Sequence, residues 1–152
     1  MHTEILSFWF QEIEAKLWFA SDKSFDDLIR QRFLGVMQSA AAGELYPWRS
    51  SAEGRLAEII VLDQFSRNVY RNTPQAFAQD PIALVLAQEA VASGELPSLT
   101  PTQRGFLLLP YMHSESRRIH VVAEALYKEF APSGNVEFEV MHKEIIDRFG
   151  RY

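Results

Sequence analysis

Cysteine is absent from the 152 residues. That one absence excludes disulfides, thiolate nucleophiles, sulfur-ligated zinc and iron–sulfur clusters, so stability has to come from packing. An excess of positive charge is missing too. Fifteen Lys and Arg against twenty Asp and Glu give a formal charge of −5, and neither half of the chain is basic, so a nucleic-acid surface has no electrostatic footprint and nucleic acid is not an expected partner. The longest apolar stretches, Ile59 to Leu62 and Phe106 to Pro110, fall far short of the roughly 20 residues of a membrane-spanning helix. No basic cluster precedes an apolar run in Met1 to Phe10, so no secretory leader and no membrane partner are expected, and the expected location is the cytoplasm. Glycine-rich phosphate loops and the G-x-S-x-G elbow are likewise missing. What is present is 47% hydrophobic residues with 11 Phe and 3 Trp, enough apolar material to fold a chain of one ordinary domain's length.

Helix punctuation dominates the rest. Thr73-Pro74, Asp80-Pro81 and Thr100-Pro101 each place Pro where the first helical turn has no use for its N–H. Thr3 is the expected cap of a first helix running to about Glu14, with Phe8, Trp9 and Phe10 largely buried. Ser24 is the expected cap of a second helix, whose Phe25, Leu28, Ile29, Phe33 and Val36 recur at helical spacing until Gly43 stops it. Ser50-Ser51-Ala52-Glu53 reads as a capping box opening a third, central helix. Asp80 and Thr100 begin two more, the second broken by Pro110 near Leu107, and Ser114 or Ser116 caps the next, with Ile119, Val122, Leu126 and Phe130 on one face. The last helix is expected from about Val136 to Phe149. No hairpin turn signal and no sustained alternation appear, so no sheet is assigned. The expected fold is all-α: one helical domain over residues 1–152, built as an antiparallel bundle or helical-hairpin stack of about seven helices.

Two polar groups interrupt segments otherwise written for burial. Leu56, Ile60, Asp63 and Arg67 share one helical stripe, which puts a carboxylate on an apolar face where it needs a donor. Gln64, Asn68 and Arg71 extend that run. His113-Ser114-Glu115 forms the second group, at the junction after Pro110. Neither group has the spacing of a metal site, and no cofactor is expected. His120, with Glu124 four residues on, reads as a solvated helix pair. Trp9, Trp18, Trp48, Tyr111 and Tyr152 read as core more readily than as a groove lining.

The strings Leu62-Asp63-Gln64-Phe65-Ser66-Arg67-Asn68 and Leu109-Pro110-Tyr111-Met112-His113-Ser114-Glu115 carry a resemblance. With Trp18-Phe19, Asp22, Phe25 and Asp26, then Phe77 with Asp80, and His142 with Arg148-Phe149-Gly150-Arg151-Tyr152, they make the chain similar, over nearly its whole length, to a bacterial family of unknown function, number 924. The resemblance implies an all-helical fold similar to tetratricopeptide-like domains and implies no activity. In relatives the motif beginning at Phe149 continues into further polar residues, and the stretch after Glu115 is longer than Ser116-Arg117-Arg118-Ile119-His120. The resemblance therefore implies a C-terminal tail beyond Tyr152.

Three functional expectations follow. In the first, Asp63, Gln64, Arg67 and Asn68 meet His113, Glu115, Arg148 and Arg151 in a groove that holds a small polar or anionic ligand or a peptide end, because Arg supplies planar, permanently charged donors. In the second, His113 is a general acid or base oriented by Asp63 or Glu115, with Arg67 stabilising an anion. In the third, the polar groups form a purely structural network and the protein acts through its surface.

Overall fold

Nine α-helical segments, threaded by short 3-10 and π turns, account for the fold of the computed structural model, which describes all residues Met1–Tyr152; no strand is present. In chain order they are α1 (His2–Ser7), α2 (Lys23–Ala41), α3 (Ala52–Ile60), α4 (Ser66–Val69), α5 (Asp80–Ala92), α6 (Pro101–Leu107), α7 (Leu109–His113), α8 (Arg117–Phe130) and α9 (Ser133–Phe149). A π turn, Val61–Phe65, joins α3 to α4, and α6 passes to α7 through Leu108 alone, so the chain follows about seven continuous rods, as the sequence predicts. The residues divide into two compact units, Met1–Ile82 and Ala83–Tyr152.

In the first unit the core gathers around aromatic rings. Phe8, Phe33 and Phe65 pack with centroids 5.0–6.1 Å apart, and Trp9 lies against Phe25 and Phe65. A second π turn, Phe8–Glu12, extends α1, and it buries the consecutive residues Phe8 and Trp9. α2 is capped by Asp22, whose carboxylate accepts from the Phe25 amide, not by Ser24. Its buried stripe is Phe25, Ile29, Phe33, Met37 and Ala40; Leu28 is exposed and Val36 half-buried. α1 follows Met1 with no side-chain cap, and α3 is capped by Ser51 alone, through the Gly54 amide. From Leu56 to Ser66 every side chain is buried, so this rod is the central one and has no solvent face.

In the second unit Thr100 and Gln103 form a full capping box at the start of α6, and Ser116 caps α8. α8 and α9, separated by Ala131 and Pro132, pack as a helical hairpin. α9 begins at Ser133, three residues earlier than expected. The core face of α8 is His120, Ala123 and Tyr127, whereas the predicted stripe is half-buried at Ile119, Leu126 and Phe130 and exposed at Val122.

Candidate functional site

The Asp63 carboxylate is buried inside the π turn and is held by Arg67, whose Nη1 donates to Asp63 Oδ1 at 3.0 Å and to the Asp63 carbonyl at 3.1 Å. The same guanidinium makes a bidentate pair with Asp80 at the start of α5, at 2.8 and 2.9 Å, and lies 5.3 Å from the centre of the Phe77 ring. Burial works against the charge on Arg67, but Asp63 and Asp80 more than offset it and hold the group firmly protonated. Gln64 donates to Asp63 Oδ2 at 3.1 Å. One turn on, Asn68 and Arg71 turn to Asp26 on α2, with Arg71 bidentate and also bonded to the Ala20 carbonyl. The polar string is thus a set of clamps tying the end of the central rod to α2 and to the first turn of α5. A third clamp, Arg49 bidentate to the buried Glu58 at 2.8 Å, fixes the turn before α3.

Beside these clamps lies an open groove of about 370 Å³, lined by Met37, Gln38, Ala41, Ala42, Ser66, Tyr70, Gln75 and Gln79. Its floor is Met and Ala; its polar groups are amides and hydroxyls, with no charge among them. Ser66, part of the same string as Asp63, is only 4% exposed. None of the unit's side-chain hydrogen bonds uses the Ser66 hydroxyl, the Tyr70 hydroxyl or the three Gln amides.

In the second unit the sequence-predicted residues occupy two situations. His113 ends α7 and is half-buried; Glu115 is exposed and accepts from the Tyr152 amide at 3.0 Å. Arg148 is exposed against its neighbour Phe149, and Arg151 is exposed beyond the left-handed Gly150 that caps α9. Asp63, Gln64, Arg67 and Asn68 belong to Met1–Ile82, whereas His113, Glu115, Arg148 and Arg151 belong to Ala83–Tyr152.

His120, which the sequence pairs with Glu124 at the surface, holds a different carboxylate in the interior. His120 and Glu139 are both 0% exposed, with Nδ1 3.0 and 3.1 Å from the two Glu139 oxygens, while Glu124 takes Lys128. Nε2 lies 2.6 Å from the Ser114 carbonyl and 2.9 Å from the Tyr152 hydroxyl, which itself donates to the Met112 carbonyl. Two acceptors, one per ring nitrogen, call for two N–H donors and hence for the imidazolium. Burial pushes the His120 pKa down, but the hydrogen bonds to Glu139 and Ser114 and the charges of Glu139 and Asp147 outweigh it and raise the group overall. Burial, with Glu139 and Glu115, raises Tyr152 and keeps its hydroxyl a donor. Nothing in the spacing of His120 and Glu139 reveals the pair, because nineteen residues and a helix reversal separate them.

A pH dependence follows. Since the folded-state pKa of His120 lies above its unfolded value, its stabilisation is complete below about pH 6.5 and is lost as pH rises through the folded-state value. The unfolding free energy from urea titrations followed by far-UV circular dichroism should therefore fall as pH rises above about 6.5, by about 1.4 kcal/mol for each unit by which His120 is raised. His120→Gln should flatten that fall; an equally steep fall in the variant would rule out His120 as its source.

The structure defines an all-helical protein whose internal polar strings clamp its helices, with an uncharged groove beside those of the first unit. The chain belongs to the family of bacterial proteins of unknown function DUF924, which matches residues 5–152. It is similar to a protein of unknown function from Agrobacterium tumefaciens, with 32% sequence identity, a TM-score of 0.94, and coverage of 99% of this chain and 85% of that one. No protein of curated function matches. No helix is long and apolar enough to cross a membrane.

Proposed function

We propose that the protein is a helical binding module whose first unit holds an uncharged polar ligand, a short stretch of peptide backbone or a small molecule rich in amide groups, in the groove beside Ser66. The observation that carries this reading is the contrast between neighbours: Arg67 is committed to Asp63 and Asp80, and Asn68 and Arg71 to Asp26, while the side chains of Ser66, Tyr70, Gln38, Gln75 and Gln79 line an apolar groove with their hydrogen-bonding capacity unspent. Each Gln amide offers a donor and an acceptor, the complement of a peptide group. The volume lies at the small end of ligand pockets, which run from about 300 to 1,000 Å³. An anionic ligand is disfavoured, because no lining residue carries a charge, Arg67 already serves two carboxylates, and Arg30 lies over the Tyr70 ring with its Nη2 given to the Val69 carbonyl. A tetratricopeptide-like hairpin arrangement and a cytoplasmic location belong to the same reading, supported by the α8–α9 hairpin and by the absence of cysteine.

The test is nuclear magnetic resonance titration of the full chain with tripeptides blocked as N-acetyl and C-terminal amide, against citrate and inorganic phosphate. Blocked peptides should shift the amide resonances of Ser66, Tyr70 and Gln79, and Gln75→Leu with Gln79→Leu should raise Kd at least fivefold. Silence at those positions, or citrate and phosphate shifting the Arg67 guanidinium resonance instead, would reject the groove as the site.

A further inference from the structure

α7, α8 and the end of α9 meet at one joint, and a single imidazole holds it together. His120 of α8 is fully buried, with Nδ1 on the Glu139 carboxylate and Nε2 2.6 Å from the Ser114 carbonyl, in the turn between α7 and α8. After the left-handed Gly150, Arg151 and Tyr152 fold back as a short strap across the same point. The Tyr152 amide donates to Glu115, and its ring meets those of His120 and His142 in T-shaped contacts. Its hydroxyl lies 2.9 Å from His120 Nε2 and donates to the Met112 carbonyl. The imidazolium thus ties the turn to α9, and the strap ties the end of α9 back to the turn.

Loss of one proton cannot leave this arrangement intact. Taken from Nδ1, it would set a lone pair against a fully buried carboxylate; taken from Nε2, it sets a lone pair against a carbonyl whose turn reaches solvent, so Nε2 is the nitrogen that lets go. Two acceptors then face each other at 2.6 Å, and the donor within reach of Nε2 is the Tyr152 hydroxyl. The charged groups around the ring are engaged elsewhere. On α9, Lys143 pairs with Asp147 and His142 donates to the Phe138 carbonyl. On α8, Arg117 donates to the Ile146 and Asp147 carbonyls and Glu124 takes Lys128; on α6, Arg104 serves the Leu96 and Pro97 carbonyls. Glu115 holds the strap, and His113 ends α7.

We infer that turn 114–116 and strap 150–152 form a proton-operated latch, closed while His120 is an imidazolium. On deprotonation the Tyr152 hydroxyl turns from the Met112 carbonyl to Nε2, the Ser114 carbonyl leaves for water, and Glu115 moves with it and releases the Tyr152 amide. The latch is closed at low pH and opens as pH rises through the titration of His120.

Nuclear magnetic resonance of the full chain from pH 5.5 to 9.5 tests the latch, following the His120 ring nitrogens and the backbone amides of Glu115 and Tyr152. Both amides should titrate with the midpoint of His120, and the Tyr152 amide should lose at least tenfold of its protection from exchange above it. Tyr152→Phe should raise the His120 midpoint by about 0.5 unit or more, roughly a threefold tighter hold on the proton, because the neutral ring then has no donor at Nε2. His142→Gln should leave the three midpoints in place, which separates the two histidines that touch the Tyr152 ring. Amides that ignore the His120 titration or follow His142 overturn the proposal, and so does a His120 midpoint that Tyr152→Phe leaves unmoved or lowers. Tyr152 is 48% exposed, so the Phe variant is expected to fold; should it not, the wild-type amide titration decides alone.

Discussion

Arg67→Met should lower the stability of the first unit by about 3–5 kcal/mol, the range for stripping one partner from a buried charge pair. Asp63 would keep only part of its hydrogen bonding in a site where its carboxylate is 1% exposed, and Asp80 would lose both of its guanidinium bonds. All three tryptophans, Trp9, Trp18 and Trp48, lie in Met1–Ile82, so urea unfolding followed by tryptophan fluorescence reports this unit by itself. Asp63→Asn added to Arg67→Met should recover part of the loss, because the charge left stranded is then removed. A single variant with the wild-type midpoint would mean that the clamp contributes nothing and that Arg67 is held for another purpose.

Gly54→Ala should be nearly as damaging, at about 3 kcal/mol, although alanine is the better helix former by about 1 kcal/mol. A methyl group on Gly54 would lie 1.9 Å from the Trp48 carbonyl oxygen and 2.8 Å from its carbon, both backbone atoms. The turn Tyr46–Ser50 rests directly on α3 at this point. Moving that turn outward pulls Arg49 from Glu58, whose carboxylate is otherwise enclosed. Trp48 emission should shift along with the midpoint. A Gly54→Ala protein as stable as the wild type, with unaltered emission, would show that the turn does not need its close seat on the helix.

The fold was legible because its signals are local. Thr100-Pro101 marks the start of α6 and Asp80-Pro81 the first turn of α5, and the interruption at Leu108, just before Pro110, follows from the missing N–H of proline and the clash of its ring with the carbonyl four residues back. Caps were less legible where two candidates stood side by side: Asp22 and Ser24 are both competent, and only the path of the incoming chain decides for Asp22. The Asp63–Arg67 pair was visible because its partners are four residues apart on one helix. Asp80 as the third member, Asp26 as the anchor of Asn68 and Arg71, and Glu139 as the partner of His120 were not, since each pairing depends on how separate helices come together. His120 also misled the reading of α8. An imidazole taken as polar rotates the inferred core face by one residue, whereas an imidazole with a hidden carboxylate belongs inside with Ala123 and Tyr127. The groove beside Ser66 escaped for a related reason, because Gln and Ser carry no spacing signature and its walls come from three stretches of chain.

The π turn at Val61–Phe65 has one more consequence. Such a turn accommodates a residue more than a regular helix would at the same place, and it sits between a well-packed α3 and the polar end of the rod. Shortening the chain by one residue there would leave composition, charge and hydrophobicity almost untouched and would make a straighter helix. It would also swing everything downstream through roughly 100° about the axis, turning Arg67, Asn68 and Arg71 away from Asp80 and Asp26. The length of this rod, counted in single residues, is therefore as much a part of its chemistry as the side chains it carries.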